Sequence, residues 1–471
     1  MIFLDRKEEL SRLNGLVKRG EGGLAVIWGR RRAGKTRLLT EWVDWHKGCY
    51  LVADRSAPDI QRRYLADALS TYLPGFNEAA YPTWAAFLNR LVADAAVRGF
   101  KGPVVLDELP YLVEHSPELP SVLQRIVDHD AKKARLTFAI SGSSQRMMQG
   151  IVLNRNAPLF GRASENLRIR PLKAGYLLDV LTKNPVEAVA WYSLFGGVPY
   201  YWELALTSQL KNTVEAADAL VLSPLGVLHS EPERLLAEEM PSASFARPVL
   251  DVIGMGAHRV SEIAGRIGAP VTALTPSLAR LMDMDLCARE VPFAASEKSG
   301  KKSHYKIMDP FLRFWFKVVG PHRSLLSHSS QQMRVALFRK FEPALCAESW
   351  EELCRDAVPF LKKGSLGPEF GPALRYWTTG GPEWDIVAAS LDDSTLLLGE
   401  AKWSRKPFNQ KEIMKVSNEL KSRGVPGKLQ GQYKNIAHCI FVPALDTSFK
   451  TQNDCIAIDA ESVLKALRTP D

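Results

Sequence analysis

The chain has 471 residues, 46% hydrophobic and 24% charged, with a formal net charge of +9. This composition excludes a disordered or fibrous chain, and the length suits about three domains. The basic excess permits a nucleic-acid partner without requiring one.

The six cysteines are scattered, with no CxxC pair and no Cys/His cluster at zinc spacing, so reduced thiols in a cytoplasm are the expectation. Met1-Ile2-Phe3-Leu4-Asp5-Arg6-Lys7 turns charged at once, unlike a signal peptide. No apolar run reaches membrane-spanning length, so no membrane partner is expected.

Leu24–Trp28 predicts a buried strand and Lys35–Trp45 a helix. Between them Gly29-Arg30-Arg31-Arg32-Ala33-Gly34-Lys35-Thr36 fits G-x-x-x-x-G-K-[ST] at every fixed position. Such a loop points backbone N–H groups and a helix N-terminus at one anion. Lys35 would reach the β/γ-phosphates and Thr36 would ligate Mg²⁺, with Arg37 on the first helical turn beside them.

Further strands are expected at 49–53, 103–107 and 136–141, alternating with helical patterns, which argues for a parallel α/β sheet. The third ends in Leu106-Asp107-Glu108: Asp107 would hold Mg²⁺ through water and Glu108 would polarise an attacking water. At the end of the fourth, Ser141 can sense a γ-phosphate or simply begin a turn of small residues. In Pro158-Leu159-Phe160-Gly161-Arg162, Arg162 can stabilise transition-state charge or be an exposed loop residue.

Residues 175–240 read as helices. Helices at 247–254, 260–267 and 275–284, then strands near 286–293 and 304–308, have a winged-helix layout. Arg280 is the third helix's only base, and Lys298, Lys301, Lys302 and Lys306 supply most of the remaining charge. The layout serves either a phosphate-driven DNA contact or protein packing. Asp309-Pro310 begins a helix with a packed aromatic face.

The last module predicts a helix at 334–361 and a hairpin, Glu383–Ala389 with Thr395–Trp403. A helix at 411–421 and a strand at 438–443 follow. Side chains two apart on a strand share a face, so Glu400 and Lys402 address one site, and the hairpin can bring Asp385 alongside. Two carboxylates and a backbone carbonyl suit Mg²⁺, and Lys402 would orient a water. A charged pair on a surface strand is the competing account, though Leu396-Leu397-Leu398-Gly399 makes this strand apolar enough to be central.

These motifs, with Phe3-Leu4-Asp5-Arg6-Lys7-Glu8-Glu9-Leu10 and Gly196-Gly197-Val198-Pro199-Tyr200-Tyr201, resemble the archaeal-type ATPases of the AAA+/STAND group. The resemblance implies that Pro199, in the G-x-P element of a helical lid, contacts adenine, and that Asp5 and Arg6 lie near the nucleotide. The last module resembles the PD-(D/E)xK nucleases, and more narrowly the domain of unknown function that trails archaeal-type ATPases. That implies metal and catalytic roles for Asp385, Glu400 and Lys402, and a further metal contact from Glu351. Trp384 departs from the isoleucine usual before the acidic residue.

The implied fold class is α/β: a P-loop NTPase core (1–170), a helical lid (171–240), a winged helix (241–325) and a restriction-endonuclease-like domain (335–471). The implied function is an ATP- and Mg²⁺-dependent, DNA-directed ATPase coupled to a nuclease, in the cytoplasm, with homo-oligomerisation open. The alternative is a nucleotide-dependent switch or DNA-binding regulator whose last domain binds without cutting.

Overall fold

The computed structural model describes residues 3–240, 244–296, 303–449 and 456–468. The chain divides into two compact units: one runs to Pro171 and includes Val198–Tyr200, the other holds Leu172–Gly197 and everything from Tyr201 onward.

The first unit is built on β1 (Gly23–Trp28), β2 (Cys49–Val52), β3 (Val104–Asp107), β4 (Thr137–Gly142) and β5 (Glu165–Arg168). They form a parallel sheet in the order β2-β3-β4-β1-β5. Alternation along β1 covers both faces, as a parallel sheet requires. Leu24 and Val26 join a cluster with Leu69, Phe87, Leu106 and Ile140. Ala25 and Ile27 join the opposite one with Leu13, Leu38, Leu39 and Trp42. The four expected strands are present to within a residue or two; β5, short and apolar only at Leu167, was not anticipated.

In the second unit, helices Ala246–Gly254, Val260–Ile267 and Val271–Asp283 precede an antiparallel ribbon of β6 (Cys287–Glu290) and β7 (His304–Ile307). The third helix begins four residues before the expected start and carries Pro276 inside it. Asp309 caps the next helix, its carboxylate accepting the Leu312 N–H at 2.9 Å, and Pro310 takes the first helical position where no N–H is needed.

Helix Gln331–Ala357 leads into β8 (Leu374–Tyr376), β9 (Trp384–Ala389), β10 (Thr395–Ala401), β11 (Asn435–Phe441) and β12 (Ile456–Ile458). The sheet order is β12-β11-β10-β9-β8, with parallel pairing on the β11 side of β10 and antiparallel pairing on the β9 side. Every residue of β10 is buried, so this strand is central, as its apolar run implied. Helix Gln410–Ser422 lies between β10 and β11 in sequence and opens with a capping box between Asn409 and Glu412.

Candidate functional site

The loop at the end of β1 turns on two glycines. A Cβ on Gly29 (φ 145°) would lie 2.3 Å from the Ile169 carbonyl oxygen, and Gly34 has φ 96°, so neither position accommodates a side chain without strain. Helix Lys35–His46 starts at this turn. Lys35 Nζ donates to the carbonyls of Gly29 (2.9 Å) and Arg30 (3.2 Å), which holds the ammonium across the loop. Ala33 is buried, Arg31 and Arg37 are exposed, and the Arg32 guanidinium lies 4.3 Å from the centre of the Tyr200 ring. A Cβ on Gly34 would come 3.8 Å from Pro199 Cγ, so Pro199 stands at the loop.

Arg6 is 5% exposed and ties the N-terminal segment to the same loop, donating to the carbonyls of Ala33 (3.0 Å) and Arg170 (2.5 Å). Asp5 and Arg6 both adopt positive φ beside it.

The acidic end of β3 meets the loop. Thr36 Oγ1 donates to Asp107 Oδ2 at 3.2 Å, and the Tyr50 hydroxyl donates to that same oxygen. Burial, then Asp107, pushes the Tyr50 phenol up, so it stays a donor. Glu108 takes φ 55° and accepts from the Ser143 N–H (3.2 Å) and hydroxyl (3.0 Å). Ser141 is fully buried, and its Oγ has no partner among the described residues. The group bound to Glu108 is therefore Ser143, two residues beyond the position singled out in the sequence. A hydroxyl and a carboxylate this close are a hard-oxygen pair of the kind Mg²⁺ takes, and the orphaned Ser141 hydroxyl suits an added acceptor, so these residues fit a magnesium nucleotide.

Arg162 donates to Asp128 (3.5 Å) and to the Phe160 carbonyl (3.0 Å), partners that lie outside the phosphate loop. Arg280 donates to the Glu239 carbonyl at 2.9 Å. Lys306 is held by Glu290 (2.5 Å) and Glu352 (2.9 Å). Arg280 and Lys306, two of the bases in the winged-helix layout, are thus each engaged within the fold. Lys298, Lys301 and Lys302 lie outside the described residues.

In the C-terminal sheet, Ile386 of β9 pairs with Gly399 of β10, so Asp385 and Glu400 come next on adjacent strands. The Ala401 N–H donates to Asp385 Oδ2 at 3.1 Å, and Arg355 donates to the Asp385 carbonyl at 3.1 Å. Lys402 Nζ reaches Glu400 Oε1 at 2.7 Å. The Arg423 guanidinium forks onto the same carboxylate, at 2.6 Å to Oε2 and 3.0 Å to Oε1. Trp384 packs into a core with Tyr376, Val387 and Leu398, which accounts for an aromatic residue there.

Burial, then the Glu400 charge, raises the Asp385 pKa. Burial opposes ionisation of Glu400 as well, but Arg423 and Lys402 more than offset it and hold that carboxyl below its usual range. Glu351, on helix Gln331–Ala357, is pushed well up by burial and then by Asp385. Asp385, Glu400 and Lys402 are therefore gathered, with Glu351 within electrostatic reach. Among the described residues no three His, Cys, Asp or Glu side chains are close enough together to form a metal cage. A site of two carboxylates and a carbonyl would need fewer.

Arg423, Tyr50 and Ser143 were missed in the sequence. Tyr50 could have been found from strand order, because Leu51 pairs with Leu106 and places β2 beside the acidic end of β3. No spacing rule marks Arg423, which follows a helix on another element.

A glycine-bound phosphate loop at β1, an acidic β3 and a five-stranded parallel sheet define the first unit as a P-loop ATPase domain. Residues 3–204 match the model of an ATPase domain predominantly from Archaea. Residues 315–416 match a family described as Archaea bacterial proteins of unknown function. An uncharacterized protein of Methanocaldococcus jannaschii is 28% identical over 465 residues, 98% of this chain and 99% of that protein. The fold is similar to that of a Walker-type ATPase of Pyrococcus abyssi, with a TM-score of 0.51, 18% identity, and coverage of 67% of this chain and 96% of that one. No described helix is long and apolar enough to cross a membrane.

Proposed function

We propose that the chain is an ATP-binding and ATP-hydrolysing, DNA-directed protein in which the P-loop ATPase controls a Mg²⁺-dependent nuclease site. Lys35 meets the β/γ-phosphates, Thr36 and Asp107 hold Mg²⁺, Glu108 polarises the attacking water and Pro199 packs against adenine, with Asp5 and Arg6 shaping the loop. Ser141 offers its hydroxyl from beneath. Arg162, which is held within the chain by Asp128 and the Phe160 carbonyl, serves the nucleotide of a neighbouring copy in a homo-oligomer.

In the second unit, Asp385 and Glu400 supply the metal's hard oxygens, Glu351 adds a further contact, and Lys402 orients the nucleophilic water. The observation that carries this reading is the convergence of Asp385, Glu400 and Lys402 at the end of two neighbouring strands. The three helices and ribbon before it act as a winged helix, with Lys298, Lys301 and Lys302 left as its phosphate contacts.

One observation favours a second reading, a nucleotide-dependent switch whose last domain binds DNA without cutting. Both oxygens of Glu400 are engaged by Arg423 and Lys402. Plasmid, linear and single-stranded DNA incubated with and without Mg²⁺ and ATP, beside Lys402→Ala and Lys35→Ala, separate the two. The nuclease reading expects Mg²⁺-dependent cleavage that Lys402→Ala abolishes while ATP hydrolysis persists, and hydrolysis lost in Lys35→Ala. Cleavage untouched by Lys402→Ala sinks the site assignment; DNA binding with no cleavage supports the switch.

A further inference from the structure

Glu400 is surrounded in an unusual way for a metal ligand. Its side chain is 4% exposed, and it accepts two bonds from the Arg423 fork and one from Lys402. A carboxylate has about four acceptor positions, so three are occupied. A divalent ion approaching Glu400 meets two cations already on it and must displace at least one.

The two cations are not equally free to leave. Lys402 is two residues from Glu400 on the same chain segment. Arg423 caps the end of helix Gln410–Ser422, and about a quarter of its side chain (26%) reaches solvent. Its Nη1 also donates to the Glu383 carbonyl at 2.8 Å, two residues before Asp385, so a guanidinium moving off Glu400 stays beside the site. A planar guanidinium fork that fits a carboxylate fits a phosphate with the same two-bond geometry.

We propose that Arg423 is the phosphodiester-binding residue of the Asp385–Glu400–Lys402 site, seated on Glu400 until a divalent ion takes that carboxylate. The proposal rests on the metal-site reading given above. Arg423 forms and breaks no covalent bond; it exchanges one anionic partner for another. The exchange makes metal and nucleic acid cooperative: the ion frees the fork, and the phosphate takes it up.

The test uses the full chain with Arg423→Ala, Arg423→Lys and Glu400→Gln. Mn²⁺ alone, without nucleotide, is titrated by calorimetry, and the binding that counts is the part Glu400→Gln removes. A short fluorescein-labelled DNA duplex is titrated by anisotropy with Ca²⁺ in place of Mg²⁺. Losing a charged competitor should strengthen Mn²⁺ binding roughly tenfold or more in Arg423→Ala, and losing the fork should weaken DNA binding roughly tenfold. Arg423→Lys keeps the cation and the fold but not the fork, so it should lose DNA affinity with a smaller gain for Mn²⁺. A merely structural Arg423 would weaken both ligands together, and that result overturns the proposal, as does unchanged DNA affinity in both variants. If Glu400→Gln removes no Mn²⁺ binding from either the wild type or Arg423→Ala, the metal site itself is wrong and the proposal falls with it.

Discussion

Glu352 sits in a buried ion cluster that fixes the helix carrying Glu351. Its Oε2 lies 2.6 Å from Arg313 Nη2 and its Oε1 2.9 Å from Lys306 Nζ, and Arg313 is 3% exposed. Removing one partner of such a cluster costs about 3–5 kcal/mol, because the remaining charge is left buried. Arg313 keeps Glu348 and Lys306 keeps Glu290, so Glu352→Gln should cost near the lower end. The depression of the Glu352 carboxyl leads to a similar figure. Burial opposes the charge on Glu352, but Arg313 and Lys306 more than offset it and hold the carboxyl at about 2 instead of 4.5.

A carboxylate depressed in the folded state stabilises the protein above its unfolded value, and that stability is lost as pH falls toward the folded one. The gap between 4.5 and about 2 is worth about 3 kcal/mol. At neutral pH, Glu352→Gln should lower the melting temperature by on the order of 5–10 °C. The difference from wild type should fall by more than half between about pH 5 and about pH 3. Thermal unfolding followed by circular dichroism across that range measures it. A difference that stays constant with pH, or a neutral-pH cost below about 1 kcal/mol, refutes the reasoning, since a packing defect does not titrate.

Two further outcomes follow from the same unit. Glu351 titrates in the opposite sense: burial and then Asp385 raise its folded pKa above 4.5, so the stability it allows when protonated is lost as pH rises through that raised value. Without metal, Glu351→Gln should therefore melt higher than wild type at about pH 8 and no higher at about pH 4; an equal shift at both refutes the electrostatic cause. Gly197→Ala places a Cβ 1.9 Å from the Leu172 carbonyl oxygen, a backbone atom that cannot rotate away. A loss of about 1–3 kcal/mol should appear as a lower denaturant midpoint, and an unchanged midpoint counts against the close approach of these segments.

The two sites were legible to different degrees, for a physical reason. The phosphate loop binds through consecutive backbone groups, so its chemistry lies in eight adjacent letters between a strand and a helix, and the structure reproduces that order. The helix Val260–Ile267 and the capped start at Asp309-Pro310 were likewise local signals. β5 and β12 were not, because strands of four and three residues are too short to show a period. Ser141 and Ser143 look equivalent in a run of small residues, and only the geometry after β4 gives Ser143 to Glu108. Lys306 looks like wing charge in sequence, yet Glu290 and Glu352 arrive from a neighbouring strand and a distant helix to neutralise it.

The C-terminal site was read from its acids, and its balance depends on bases no motif contains. Lys402, Arg423, Arg375 and Arg355 act on Asp385, Glu400 and Glu351, and Arg375 also pairs with Glu383 and Glu290. A cage built for a metal alone would be expected to carry excess negative charge, since each added cation lowers its affinity for a divalent ion. Cations already seated on Glu400 would instead favour joint occupancy, in which an ion takes the carboxylates and a phosphate takes the displaced bases. Arg423 and Arg375 stand on elements other than β10, so a strand-by-strand reading finds Glu400 and Lys402 and stops there. Glu400→Gln alone should therefore leave part of the affinity for DNA while removing the Mn²⁺ dependence of that affinity.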